Sequence, residues 1–450
     1  MTRLFTIFIF TLGFIYFSTL LVFLIGLLKF RNGGKDTRSY ENPGHSVQPF
    51  VSVIVVARNE EEYLPACVES LLAQSYSSER YEVILVDDRS TDNTYNIMEA
   101  FSSAHPHLKA LQLGVTEREQ SAVHEQPPAT DSNPSYQQPT FSDVQYKRME
   151  AEPSMTGKQR GLDFGVSVSC GDFILTTDAD CFVPPMWVEG MVKAFSPSVG
   201  MVVGFSMLCE NNQTNMRQKP FALTVNHQSA YTCDSTTQCT HILHRLFLKL
   251  QSLELLTLFC ASAGSLNMGV ALACTGNNLG YRRQVYEELG GFAELGFTVA
   301  EDNIFLQWVN RYSQWQIQAI CHPDVTVLTR PMKSIRSFFR QRLRWASNSL
   351  ANRRSLSCFM VVVYGFYLFI PIALILAISG AFPWTLLLAV FAIKMLPEFF
   401  LVLRGLQLFD RMDLLKYFLL LEPCQAVYVL ICGICGLPGK GIWKGRRYDR

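Results

Sequence analysis

Asp178 and Asp180 close the run DFILTTDAD (Asp172–Asp180), where an apolar strand signal delivers two carboxylates one residue apart. In a tight turn both can approach one hard cation. Mg2+ or Mn2+ typically takes one or two carboxylates and completes its shell with water and substrate phosphates. Any acidic turn yields this pattern, so its neighbours decide its worth. YEVILVDD ends in Asp87 and Asp88, with Ser90 and Asp92 beyond, and PFVSVIVVA ends in Arg58-Asn59-Glu60. An amide or carboxylate there can accept from a nucleobase N–H or from ribose hydroxyls. Lys158 opens the helix signal before Asp178 and could offset phosphate charge, although an ordinary surface lysine reads the same way. VAEDNIFLQWV sets Glu301 and Asp302 in a first helical turn; the plain reading there is dipole stabilisation worth about 0.3–1 kcal/mol. CTGNNLGYRRQVYEELGGF adds Asn277-Asn278 before a helix.

These groups need a scaffold that brings strand ends together. PFVSVIVVA and YEVILVDD are continuous β-branched runs, as strands buried on both faces require. Between them, Leu64, Cys67, Val68, Leu71 and Leu72 recur at helical spacing. STDNTYNIMEAF carries a helix cap, and LKALQLG reads as a third strand. Strand, helix, strand, helix, strand predicts a parallel sheet with right-handed crossovers, whose ligands bind at the carboxyl edge. Further on, GKQRGLDFGVSVS reads as a helix, PPMWVEGMVKAF as a helix begun by proline and GMVVGFSML as a strand. The expected class is α/β, with a mostly parallel, Rossmann-like sheet. Thr116–Thr156 contains five prolines and almost no aliphatic residues, so it reads as a surface insertion.

The 450 residues hold 39 basic and 38 acidic groups, a balance that excludes a polybasic nucleic-acid binder. Leu4–Leu28 and Ser355–Ala392 lack any charge. A membrane span needs about 20 apolar residues, so a wholly soluble protein is excluded. The first run is too long for a cleavable signal and is followed by Lys29, Arg31, Lys35 and Arg38, which places the following chain in the cytosol. The second run breaks at Gly380–Pro383, and its later half carries Lys394 and Glu398 at pairing distance along a helix. The bland reading is a pair neutralised between packed helices rather than a substrate path. Tyr417–Leu437, with Glu422-Pro423, is a third run; three full spans would put the basic tail outside, so one is expected to be interfacial or re-entrant. LELLTLFCASAGSLNMGVALA is expected to be a buried or membrane-surface helix. The 13 cysteines form no framework and should be reduced thiols. Cys233, Cys239, His241 and His244 fit zinc spacing poorly, and the Asn212 sequon would be idle in the cytosol. SIRSFFRQRLRWASNSL, within a stretch of eight basic residues from Arg330 to Arg354, also suits anionic lipid just before a span.

Taken together, VVARNEE, VDDRSTDNT, TTDAD, Ala300-Glu301-Asp302 and Gln341-Arg342-Leu343-Arg344-Trp345 occur in the order of a known group. The chain resembles the membrane-embedded family 2 glycosyltransferases, which include cellulose, hyaluronan and poly-N-acetylglucosamine synthases and ceramide glucosyltransferase. The resemblance runs from Phe50 to Trp345 apart from the insertion, and no G-x-G-x-x-G or P-loop competes for a nucleotide. It implies a GT-A fold, a nucleoside-diphosphate sugar (UDP foremost) and Mg2+ or Mn2+. Asn59, Glu60 and Asp88 would hold uridine, and Asp178 and Asp180 the pyrophosphate and its metal. Asp302 would be the general base of an inverting transfer, titrating above an ordinary aspartate if buried. Gln341, Arg344 and Trp345 would close over the pyrophosphate and place the acceptor. The family often has Thr where Ala300 stands, and residues 116–156 have no counterpart there.

The implied layout is an anchor at 1–30, a linker at 31–49, a catalytic domain at 50–330 and an interfacial helix at 331–354. Membrane segments follow at 355–437 and a basic tail at 438–450. The expected setting is the cytoplasmic (inner) membrane with the catalytic domain in the cytosol, against membrane lipids and a glycan or lipid acceptor. Polysaccharide synthesis is the leading expectation, single transfer to a membrane lipid the alternative, and a catalytically inactive nucleotide-binding scaffold the alternative of another class. A secretion channel from so few segments would need tight packing or oligomers.

Overall fold

A computed structural model describes residues 2–30, 48–114, 155, 157–209, 235–296, 298, 300–347, 354–436, 441–443 and 446–448. The insertion 116–156 lies outside the described residues except for Met155, as do Asn212, Cys233 and the side chains of Cys239 and His241.

The β-branched runs form strands as expected: β1 (Val51–Ala57), β2 (Tyr81–Asp87), β3 (Leu108–Gln112), β4 (Phe173–Asp178) and β5 (Val199–Gly204). They are followed by β6 (Ser206–Leu208), β7 (Leu279–Arg282), β8 (Gln316–Ile320) and β9 (Val327–Thr329). One sheet has the order β3-β2-β1-β4-β7-β5-β8, while β6 and β9 pair separately. It is parallel except for β7, which runs against both β4 and β5. The polar segment read as leading straight into a helix therefore contributes a strand first. Ala57 faces Asp87, and Val56 faces Asp178, so β1, β2 and β4 end at one level.

Alternation along the strands divides the core. Val51, Val53 and Val55 pack with Leu64, Cys67 and Trp187 on one face. Ile54 and Val56 face the helix Gly157–Ser167 and share a second core that continues into the membrane-type helices. That helix lies close because Gly161 and Gly165 meet β1; an added Cβ would sit 2.7 Å from Val56 and 2.6 Å from Ile54.

Among the described residues, five helices are long and apolar enough to cross a membrane: Arg3–Leu28, Ile242–Leu266, Ser357–Ile378, Trp384–Leu408 and Met412–Cys435. The second belongs to a long helix, Ser235–Leu266, and half of its apolar stretch is buried. The sequence reading made this segment a buried or surface helix; its length and composition also satisfy a span. Its aromatic face joins the layers, with Phe205, between β5 and β6, 4.7 Å from Phe259 and 4.4 Å from Phe409.

The N-terminal helix (Thr2–Leu28) crosses this long helix where Gly26 and Gly264 meet, and a side chain at Gly264 would collide with the Phe23 carbonyl. Lys29 donates to the Asn267 carbonyl (2.9 Å), and Asn267 donates to that of Gly26 (3.1 Å). Gly264→Leu is expected to destabilise the fold by about 1–3 kcal/mol or more, since backbone cannot yield as a side chain can. Thermal unfolding in detergent checks this; an unchanged midpoint would contradict the close crossing.

Candidate active site

Asn59, Glu60, Asp88, Asp178 and Asp180 lie at or just beyond the carboxyl ends of β1, β2 and β4, while Lys158, Asp302 and the 341–345 motif lie on helices. Asp87 and Asp88 follow the last hydrophobic residue of β2 and are buried at 0% and 1% exposure, so both need partners. Asp87 accepts from the Ser90 amide (3.1 Å) and from Gln112 (3.0 Å), which tightens the loop. Asp88 pairs with Arg58 at 3.5 Å, and Arg58 also donates to its carbonyl at 2.8 Å. The Asp88 carboxylate lies against Gly157, where any Cβ would collide with it. Asn59 has φ +53°, and its side-chain oxygen accepts from the Thr91 amide (2.8 Å). The Glu60 amide donates to Thr94 (2.8 Å), so the ends of β1 and β2 are laced together. Asp92 caps the following helix by accepting from the Thr94 amide (3.0 Å).

The ends of β4 and the helix Glu301–Tyr312 meet through Lys158. Its Nζ donates to Asp178 (2.8 Å) and reaches Glu301 at 3.4 Å. Burial alone would lower this ammonium; the charges of Asp178, Glu301 and Asp302 instead hold it above its ordinary value. Lys158, expected to face phosphate, neutralises carboxylates here. A second link runs from Thr176, whose hydroxyl donates to the Gly276 carbonyl (2.8 Å), while the Gly276 amide donates to Asp302 (2.7 Å). Asp302 is therefore held at the same rim as Asp178. Burial first, then the charge of Glu301, pushes its carboxyl up to about 6 against the pull of Lys158. Glu301 and Asp302 do begin a helix, but their contacts reach beyond capping.

Asp178, Asp180 and Cys181 present ligand atoms within 4.8 Å of one another. The Cys181 thiol is buried, and burial followed by the charges of Asp180 and Asp178 pushes it well up, so it stays protonated. Two carboxylates without a thiolate suit a hard cation. The donor set therefore fits Mg2+ or Mn2+, which Asp178 and Asp180 would hold.

The basic motif lies on the helix Ile335–Ser347. Its unexpected centre is Arg342, buried against Glu254 of the long helix, with Nε donating to Oε1 at 2.9 Å. Arg342 also donates to Gln341 (2.6 Å) and lies 4.1 Å from the Trp345 ring centroid. Gln341 and Trp345 are thus fastened through Arg342, while Arg344 lies part-exposed on the same helix. Glu254 is the sequence signal for this contact, because a lone carboxylate in an apolar helix requires a buried partner. Asn277 and Asn278 hold loops: Asn277 accepts from Ser206 (2.8 Å), and Asn278 from the Trp187 indole (2.9 Å).

Comparison with known proteins adds the family. The description "Glycosyl transferase family 2" matches residues 52–124, and "Glycosyltransferase like family 2" matches 137–348. The chain carries glycosyltransferase family 2 domains. "Glycosyl transferase family 21" matches residues 259–449. Over 159 residues the chain is 41% identical to glycosyltransferase AglE of Haloferax volcanii, covering 35% of this chain and 40% of that one. A beta-monoglucosyldiacylglycerol synthase of Nostoc is 35% identical over 75 residues, 17% of this chain and 16% of the other. The chain therefore spans less than half the length of these relatives. A mannosyltransferase of Pyrobaculum calidifontis, solved with GDP-Man and Mn2+, aligns at TM-score 0.46 and 14% identity, covering 96% and 98% of the two chains. The family 2 domains, the mostly parallel sheet and the carboxyl-edge carboxylates agree with the expected GT-A fold; the narrower cellulose, hyaluronan and ceramide group is not singled out.

Proposed function

We propose that the chain is an inverting glycosyltransferase that moves a sugar from a nucleoside-diphosphate donor, UDP foremost, to a membrane lipid. The observation that carries this reading is the joining of Asp178 to Glu301 through Lys158, with Asp302 alongside on the Gly276 amide. An acid pair suited to a cation and a carboxyl with a raised pKa thereby share one rim, as transfer from a diphosphate requires.

Asp88, Asn59 and Glu60 bind the nucleoside in this reading, at the tips of β2 and β1. Asp178 and Asp180 hold the divalent cation, which when bound supplies stabilisation of the departing diphosphate. Asp302 takes the proton of the acceptor hydroxyl as its oxygen bonds to the anomeric carbon. The bond from that carbon to the diphosphate breaks, and the electron pair leaves on the phosphate oxygen. One base opposite the leaving group gives inversion. Gln341, Arg344 and Trp345 border the acceptor, on a basic helix suited to a lipid surface.

The lipid acceptor is favoured by the helices apolar enough to span a membrane and by the names of several relatives. These include beta-monoglucosyldiacylglycerol synthases and an undecaprenyl-phosphate 4-deoxy-4-formamido-L-arabinose transferase, 26% identical to this chain. Membranes containing the protein, given radiolabelled UDP- and GDP-sugars with Mn2+, should yield one organic-soluble product. A ladder or high polymer would instead support polysaccharide synthesis. Tight nucleotide binding without turnover of any donor would leave a scaffold.

A further inference from the structure

Arg330 belongs to none of the groups above, yet it stands between them. β9 meets the segment after the Asp178–Asp180 turn through an antiparallel bridge between Leu328 and Phe182, with both amide bonds at 2.8 Å. Arg330 follows this bridge by two residues, and Asp180 precedes it by two on the other side. Its guanidinium carbon lies 3.5 Å from the centroid of the Tyr63 ring. Tyr63 is itself tied to the tip of β1, its amide donating to the Glu60 carbonyl at 3.0 Å. Lys333 donates to the Tyr63 hydroxyl at 3.0 Å and so also fixes the ring. Arg330 thus joins the loop bearing Asn59 and Glu60 to the strand that bridges the segment just after the Asp178–Asp180 turn.

Nε and Nη1 of Arg330 are shut away from solvent, with no hydrogen-bond partner among the described residues. Sequestered guanidinium donors are costly to leave unmade, and among the described residues no carboxylate lies within ion-pairing distance of Arg330. The rim explains what is missing. Asp178, Asp180, Glu301 and Asp302 outnumber the positive charge of Lys158, which Asp178 and Glu301 already engage. Even with a divalent cation on the aspartates, an arriving diphosphate would meet net negative charge. A guanidinium packed on an aromatic ring keeps the planar fork that takes phosphate oxygens in pairs.

We propose that Arg330, carried on Tyr63 beside the Asp180 turn, binds the diphosphate of the sugar donor. This rests on the glycosyltransferase reading and adds a ligand residue that lies outside its motifs. The test uses the detergent-solubilised full chain and equilibrium binding of UDP, UMP, GDP and GMP with Mn2+. Arg330→Gln should shrink the preference for diphosphate over monophosphate of the same base by roughly ten- to hundredfold. Arg330→Lys, which keeps the charge and loses the fork, should fall between. Equal weakening of both nucleotides would assign Arg330 to the platform alone and overturn the proposal, as would an unchanged preference. Misfolding of a variant weakens both nucleotides together and is read separately from its unfolding midpoint, with Arg330→Lys then deciding. Failure of the unaltered protein to bind either diphosphate with Mn2+ would instead defeat the glycosyltransferase reading itself.

Discussion

Asp302→Asn should lower sugar transfer by about 10²–10⁴-fold, the usual contribution of a positioned general base, while leaving Mn2+-dependent nucleotide binding intact. The amide is nearly isosteric and can still accept from the Gly276 amide, which now binds Asp302 at 2.7 Å. What it loses is the capacity to take a proton. Asp302 also lies away from the Asp178–Asp180 turn in sequence, joined to it through Lys158 and Gly276. Binding and transfer should therefore separate. Loss of both would sink the base assignment and make Asp302 part of the donor cradle.

The same residue sets a pH dependence. Burial and Glu301 raise its carboxyl to about 6. The base form dominates above that value, so transfer should be full near neutrality and decline as pH falls through about 6. An ordinary aspartate would keep its base form down to about pH 4. A rate profile at saturating donor distinguishes the two, and the acidic limb should vanish from the residual activity of Asp302→Asn.

Much of this arrangement was legible because continuous β-branched runs admit few alternatives. Val51–Ala57, Tyr81–Asp87 and Phe173–Asp178 are buried nearly throughout, and the polar residues near the start of the first two, Ser52 and Glu82, satisfy each other at 2.7 Å. The first polar groups after such runs must then gather at one edge. β7 escaped because four residues, Leu279–Arg282, are too few to show a period, and Gly280 breaks the apolar run. That glycine has a packing reason: a Cβ would lie 2.7 Å from Leu175 of the neighbouring strand.

Charge partners were harder to read, since sequence spacing says nothing of what faces a side chain across the fold. Lys158 was expected to meet phosphate and is found between Asp178 and Glu301. Arg342 stood among other arginines with no mark of its own. Its helical face distinguishes it, because Phe338 and Trp345 flank it there and its guanidinium lies 4.5 Å from the Phe338 ring and 4.1 Å from that of Trp345. Lys394 and Glu398 were expected to neutralise one another, and they do so at 2.9 Å. A third charge, Glu422, joins them from another helix and changes the balance.

That third charge makes Lys394 the most consequential side chain of the helical part. Lys394 donates to Glu398 and to Glu422, while Tyr16 and Tyr367 both donate to Glu398, the latter at 3.2 Å. The five residues come from four different helices, and all three charged groups are buried. Lys394→Met keeps the length of the side chain but leaves two carboxylates facing each other without a cation. Removing one partner of a buried ionic cluster costs about 3–5 kcal/mol, enough to threaten folding when the whole protein is worth about 5–15 kcal/mol. The expected result is a large fall in unfolding midpoint or in recovered monomer. Adding Glu398→Gln and Glu422→Gln to Lys394→Met removes the surplus charge and should restore part of the loss, because a neutral amide at 398 can still accept from Tyr16 and Tyr367. A Lys394→Met protein as stable as the unaltered chain would mean that apolar packing alone, through contacts such as Tyr16 with Phe366, holds the N-terminal helix to the others.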